Sequence, residues 1–221
     1  MKNSLQYQAY LAIRRQIIHS DLEPGKKVSE KTLEETLSIG RTPIREALIT
    51  LRQQGLVDTI PQSGTYISLI DLNSANNARF MREHLEKQIM LESCAKMDLQ
   101  KKRILETVLS EQEKAVTKKD ARSFFHNDNL FHEVCFEIAG REEIWHWLEE
   151  HNTHLERFRW LRVTTKELKW NKIMNQHYDL FHALTHQNPE EASFLTSMHL
   201  HLMLDEQKTV VDAHPNYFKN I

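Results

Sequence analysis

The chain has 221 residues, 40% of them hydrophobic and 27% charged, with a formal net charge of −2. That length exceeds the usual single domain, the composition is that of a globular chain, and no unbroken apolar run approaches the ~20 residues a bilayer crossing needs. Two cysteines, Cys94 and Cys135, are too few for a disulfide framework and form no CxxC pair, so both read as buried, reduced thiols.

The charge is unevenly placed. Residues 1–70 carry nine Lys or Arg against seven Asp or Glu, and residues 71–221 carry 20 against 24. Gly25, Gly40, Gly55 and Gly64, with Pro24, Pro43 and Pro61, crowd into the first part, while every histidine but His19 lies in the second. The shift sets a domain boundary near residue 70, giving domains at 1–70 and 71–221.

The N-terminal stretch, interrupted by Gln and Arg, lacks the apolar core of a signal peptide, so a cytoplasmic location is expected. Tyr10, Ile13, Ile17 and Ile18 form a helical stripe that stops before Pro24-Gly25. Ser29 is placed to cap a second, short helix with Leu33 and Leu37 inward, and Gly40 stands where a left-handed turn residue is wanted. Thr42 then caps a third helix with Pro43 first, Ile44, Ala47, Leu48 and Leu51 inward, and Gly55 at its end. LVDTI and TYISL, separated by Pro61-Gln-Ser-Gly64, predict a hairpin.

This order is that of a winged helix-turn-helix, three helices and a β-hairpin wing. Arg41 and Arg45 fall at the start of the third helix, on the side its core stripe does not use. In such a module that end of the helix reaches base edges in the major groove. An arginine can engage guanine O6 and N7 together, and Thr42 can meet a phosphate where the helix dipole is positive. Gln62, Ser63 and Gly64 would form the wing tip. The plainer alternative is a pair of solvated arginines making ion pairs with Glu30 or Glu46.

From Asn73 onward the chain runs through helical stripes with few breakers, predicting helices near 74–97, 101–118, 120–139, 141–163, 170–187 and 189–211 in an all-α antiparallel bundle. Asp128 and His132 stand four apart on the apolar face of Phe124, Phe131 and Cys135. His177 joins the stripe of Met174, Tyr178, Phe181 and Leu184, and His199 that of Leu195, Met198, Leu202 and Met203. Three imidazoles and a carboxylate turned inward suit a divalent metal, zinc first, with nickel, manganese or iron also compatible. His201 would face about 200° from His199 and is the poorer candidate. Each histidine taken singly reads equally as a satisfied core or surface residue.

Arg82 lies on the stripe of Ala78, Leu85 and Ile89, and a guanidinium facing a core needs an anionic partner, from the chain (Glu86 or Glu92) or from a ligand. In the 141–163 segment His151 and Arg162 fall on the inward face and are candidates to line the same cavity. His84, His146, His154, His182 and His186 share no inward face, and the tryptophans at 145, 147, 160 and 170 read as core or dimer interface. The chain has no GxSxG, Walker loop, dinucleotide fingerprint or HExxH.

EPGKKVSEKTLEETLSIGRTPIREALITLRQQGLV followed by PQSGTYIS resembles the winged-helix domain of GntR-type bacterial transcription regulators. DNLFH, Gln176-His177 and Met198-His199 resemble the metal-binding elements of the helical FCD domain in the FadR-type branch of that family. The resemblance implies DNA contacts from Lys31, Arg41, Thr42, Arg45 and Gly64, and metal ligands at Asp128, His132, His177 and His199. It also implies a carboxylate effector bridging metal and Arg82. The expected function is a DNA-binding transcription regulator, a repressor, acting as a homodimer on a palindromic double-stranded operator. The alternatives are a metal-dependent enzyme using the bundle site, or a metal sensor of the same fold. Two departures from the family stand out: Gly40 where serine is frequent, and Arg141 where asparagine is common.

Overall fold

A computed structural model describes residues 4–220. It divides into two compact units, one of residues up to 76, 150–161 and from 210 onward, the other of 77–149 and 162–209.

In the first unit α1 (Leu5–Ile18) is capped by the Ser4 side chain and buries Ala9, Ile13, Ile17 and Ile18. The short α2 (Glu30–Leu37) starts at Ser29, whose hydroxyl accepts from the Thr32 amide, and α3 (Arg41–Gln53) buries Ile44, Ala47, Leu48 and Leu51. The expected stripe is therefore the core, with Ile13, Ile44 and Leu51 fully enclosed. Burying each such side chain contributes about 1.5–3 kcal/mol.

The turn between α2 and α3 differs from its sequence expectation. Ser38 takes the left-handed conformation (φ 54°), while Gly40 is extended and caps α3 with no side-chain bond. The helix thus begins at Arg41 rather than after Thr42, and Pro43 sits two places further in. Its missing N–H is harmless there because the first-turn amides have no intrahelical acceptor. Glycine in place of serine at this cap costs only a few tenths of a kcal/mol.

The wing is β2 (Val57–Ile60) antiparallel to β3 (Gly64–Ile67), with Val57 opposite Ile67 and Ile60 opposite Gly64. A further strand, β1 (Lys27–Val28), pairs with the other edge of β3. At two residues it is too short to show any alternation in sequence. A second small sheet joins β4 (Ile70–Asp71) in parallel to β5 (Phe218–Lys219).

Residues remote in sequence complete this unit. Arg157 is fully buried and donates to the Ser68 hydroxyl at 2.9 Å and the Ser68 carbonyl at 2.6 Å. Glu156 pairs with Arg14 at 2.5 Å, and Thr153 donates to the Gln54 carbonyl at 3.1 Å. The unit consequently extends beyond residues 1–70, because the groups that satisfy its polar edge come from 150–161 and from the C-terminal segment.

His154 accepts from the Asp71 amide through Nδ1 at 3.2 Å. Burial, reinforced by the Arg157 charge, pushes its pKa from 6.5 down to about 4. The unfolded chain then binds one more proton than the folded one between those values, so stability falls as pH drops from 6.5 towards 4. His154→Gln is expected to flatten the decline in thermal midpoint over that window. An unchanged pH profile in the variant would show that His154 does not titrate on unfolding.

In the second unit α4 (Leu72–Lys96) supplies residues from 77 onward, followed by α5 (Leu99–Lys118), α6 (Ala121–Ala139) and α7 (Glu142–His151). The end of α8 (Thr153–Thr164), α9 (Trp170–Thr185) and α10 (Pro189–Ala213) up to 209 complete it. Asp98 and Asp120 cap α5 and α6 with their carboxylates, and Gly140, at φ 72°, ends α6. The core is built from Ile89, Met90, Leu105, Leu109, Phe131, Phe136, Leu180 and Leu184 and their neighbours, with α5 packed along α6 and against α9. Cys94 and Cys135 are both free and buried, and burial pushes the Cys135 thiol pKa up.

The predicted helix at 141–163 is two helices. Asn152 interrupts it, its neighbours belonging to α7 and α8. Leu155, Phe158 and Arg162 beyond the break are buried as the stripe predicts, but residues 150–161 belong to the first unit and Arg162 to the second. Among the described residues no helix is long and apolar enough to cross a membrane.

Candidate functional site

The first unit presents a basic helix start. Arg41 and Arg45 are largely exposed, and both donate through Nε to Glu30, at 2.8 and 3.0 Å. One carboxylate on α2 thus holds two guanidiniums side by side at the beginning of α3, and their bonds keep the Glu30 pKa below the usual carboxylate range. The Glu30 pairing foreseen as the plain alternative is present. Exposed pairs of this kind contribute little to stability, so they are easily exchanged for another acceptor. Lys31 is also exposed, 3.9 Å from Glu35.

At the wing tip Gly64 has φ +135°, and a Cβ there would stand 2.7 Å from Lys27 Cε. The positive φ calls for glycine there, whereas the flexible end of Lys27 could move aside. Lys27 Nζ lies 6.0 Å from the centroid of the Tyr66 ring, and the Tyr66 hydroxyl is 2.7 Å from that of Ser63. Lys27 is therefore a further basic group beside the wing.

In the second unit His132 of α6, His177 of α9 and His199 of α10 converge, one ring nitrogen of each lying within 4.8 Å of the others. His132 and His177 are 1% and 0% exposed and His199 9%. Phe131 stacks on His177 at 4.4 Å between centroids. The outer nitrogens all meet oxygen: His132 Nδ1 faces Glu86 Oε2 at 2.8 Å, His177 Nδ1 faces Gln112 Oε1 at 2.9 Å, and His199 Nδ1 faces Gln176 Oε1 at 3.0 Å. The Gln112 amide nitrogen donates to Asp128 Oδ1 at 3.4 Å, which turns its oxygen to His177.

An oxygen acceptor at Nδ1 places the proton of a neutral imidazole there and leaves Nε2 a bare lone pair. His132 Nε2 and His199 Nε2 then face each other at 3.2 Å. Two lone pairs at that distance repel unless a cation lies between them. A shared proton is disfavoured, because burial and the other two imidazoles lower the His199 pKa well below its ordinary value. The His132–His199 separation matches the edge of about 3.3 Å that arms of about 2.0–2.1 Å give in a tetrahedral metal site, and the trio as a whole lies within 4.8 Å. Asp128 Oδ1 lies 3.6 Å from His177 Nε2.

Arg82, 1% exposed, donates through Nε to Glu86 Oε1 at 2.5 Å. Glu86 therefore bridges a guanidinium and an imidazole. Burial would raise its pKa, but Arg82 and His132 outweigh burial and hold it well below the carboxylate range. Arg82 Nη1 and Nη2 are buried and have no hydrogen-bond partner among the described residues.

Two other candidates are Arg162 and His151. Arg162 is buried but directed to Glu206, at 2.7 and 3.3 Å, and to the Lys169 carbonyl at 3.1 Å. His151 is exposed at the end of α7. The inward stripe thus buries Arg162 and leaves His151 outside.

The profile of bacterial regulatory proteins of the gntR family matches residues 5–67, and that of the FCD domain residues 78–202. The chain is a GntR-family regulator with an FCD domain. It is thus a DNA-binding transcription regulator, not an enzyme. Across 214 residues this GntR regulator is 27% identical to the HTH-type transcriptional repressor RspR of Escherichia coli K12, covering 96% of this chain and 92% of RspR. It is 28% identical over 214 residues to an HTH-type transcriptional regulator from an unstable DNA locus of Streptomyces ambofaciens, covering 95% of this chain and 87% of that one. The solved structure of E. coli McbR/YncC has a TM-score of 0.80 at 17% identity, covering 96% of this chain and 99% of the other, a likeness of fold.

Sequence reading missed the groups that fix the imidazoles of the regulator. Gln112 is fully buried on the stripe of Leu105, Val108, Leu109 and Ala115, so its position among apolar residues was a visible signal. Glu86 stands four residues after Arg82, but its bond to His132 of another helix has no sequence signature.

Proposed function

We propose that this regulator is a cytoplasmic, homodimeric repressor whose affinity for a palindromic operator is set by a small carboxylate bound at a divalent metal in its FCD domain. In this reading Arg41 and Arg45 read bases from the start of α3, with Thr42, Lys31 and Gly64 contacting the backbone. His132, His177, His199 and Asp128 hold the metal, and Arg82 receives the effector carboxylate. Zinc, nickel, manganese or iron is compatible with these donors, and the bound ion supplies a Lewis-acidic anchor for an effector oxygen.

The observation that carries the reading is the enclosed trio of imidazoles with their Nδ1 sides fixed by Glu86, Gln112 and Gln176. A fold needing only stability would fill that space with apolar side chains. Repression is supported by the name of the E. coli relative, a transcriptional repressor.

Effector action requires only a difference in affinity between DNA-competent and incompetent arrangements. A coupling of about 1–3 kcal/mol gives a 5- to 150-fold change in operator affinity. The test is fluorescence anisotropy with a duplex selected from a random-sequence pool, titrated with small carboxylates before and after chelation. Acid-dependent release that chelation abolishes is expected. An affinity insensitive to both acids and chelation would overturn the reading.

Dimerisation draws support from exposed apolar side chains in the second unit. Phe80 is 56%, Phe194 64% and Met198 52% exposed. They lie within a turn of the bond between Glu83 of α4 and Ser197 of α10. A second copy on this face would supply the two-fold partner that a palindromic operator calls for. Phe80→Glu combined with Phe194→Glu is expected to give a monomer by light scattering with weakened operator binding. A variant that stays dimeric removes this face from the interface.

A further inference from the structure

We infer that the second unit holds another ligand site, built from none of the residues around the imidazole trio, and that it takes an organic anion with a flat aromatic body.

A cavity of about 480 Å³ is lined by the end of α5, the end of α8, the loop after it and the start of α9, all within the second unit. Sites for small organic molecules are commonly of that size. Val116, Val163, Leu168 and Trp170 give it apolar walls, and its charged lining residues are Lys119, Lys166 and Lys169. Among the described residues no carboxylate lines it. Asp120, next to Lys119, is committed to capping α6.

The apolar wall is fixed before a ligand arrives. The Trp170 indole nitrogen donates to the Val163 carbonyl at 2.7 Å, and its ring stacks on Phe124 at 4.8 Å between centroids. Arg162 donates to the Lys169 carbonyl at 3.1 Å and the Leu168 amide to the Thr165 carbonyl at 3.2 Å, so the loop between α8 and α9 is pinned. A wall held in place in this way loses little freedom on binding. Because the indole N–H is already satisfied, Trp170 offers surface and polar recognition falls to the ammonium groups. Lys119 ends α5 in the left-handed conformation (φ 55°), where glycine is the usual and less strained residue.

Three ammonium groups around one cavity repel one another, and a bound anion relieves that repulsion. The lysines disfavour a cation, and the apolar walls disfavour a small hydrated ion, which would surrender its water for no hydrogen bonds there. One anionic group on an aromatic body meets both conditions.

The test is calorimetry and methyl NMR on the full chain with 2-naphthoate, against 2-naphthalenemethanol, which has the same rings and no charge. Naphthoate is expected to bind more tightly than the alcohol and to shift the methyl resonances of Val116, Val163 and Leu168. Each of Lys119→Gln, Lys166→Gln and Lys169→Gln should weaken naphthoate about fivefold, the attraction of two unit charges ~4 Å apart in water, and leave the alcohol unchanged. All three side chains are exposed, so the variants keep the core. Naphthoate affinity should also fall with added salt and persist after chelation, since no imidazole of the trio lines the cavity.

Naphthoate that fails to bind, binds no better than the alcohol, or binds without moving those methyl groups would overturn the inference. So would an affinity unchanged when all three lysines are replaced, or one lost on chelation.

Discussion

Arg45→Ala is expected to lower operator affinity about 5- to 150-fold, the worth of one bidentate arginine–guanine contact of ~1–3 kcal/mol. The side chain is 61% exposed and, among the described residues, bonds to the Glu30 carboxylate, itself 29% exposed, so its removal leaves the core of α3 intact. The loss should therefore appear in DNA binding and not in thermal stability. It should also be uneven across sequences: if Arg45 reads a base, preference relaxes at one position of each half-site. Lys31→Ala offers the contrast, weakening all duplexes alike and reducing the salt slope by about one. An Arg45→Ala protein with unchanged affinity and preference would remove the start of α3 from the reading of bases.

Glu86→Gln is expected to weaken metal binding about 10- to 100-fold, the usual consequence of altering a group that orients a metal-bound imidazole. The carboxylate fixes His132 with the proton on Nδ1 and compensates the Arg82 charge. An amide can supply an oxygen to only one of them and carries no charge. Competition against a chromophoric chelator measures the loss directly. The same variant should be less stable, since a buried guanidinium deprived of its partner costs about 3–5 kcal/mol. Undiminished metal affinity would mean that Glu86 serves only to neutralise Arg82.

What the sequence made legible follows from which features are local. The stripe of Ile44, Ala47, Leu48 and Leu51 needs only the helical period, and the wing hairpin only its turn residues. The histidines at 132, 177 and 199 were each recognisable as polar residues on apolar faces, and resemblance to a family grouped them. The start of α3 was misplaced because serine, glycine and threonine at 38, 40 and 42 all favour helix ends, and their backbone angles are decided by how α2 meets α3. Joining α7 to α8 missed a boundary and not a phase, since Asn152 breaks the helix without a proline or glycine to announce it while Leu155 and Phe158 stay buried. The partners at Glu86, Gln112 and Gln176, and the pairing of β4 with β5 148 residues away, depend on contacts between distant elements, which no local pattern records.

In the proposed site three imidazoles direct unprotonated Nε2 atoms at one cation. X-ray absorption at the zinc edge, on protein loaded with one equivalent of zinc, addresses that directly. The expected spectrum is a first shell of nitrogen and oxygen at about 2.0–2.1 Å with the outer-shell scattering of about three imidazoles, reduced to two in His177→Ala. A spectrum without imidazole scattering, or one that His177→Ala leaves unchanged, would contradict it.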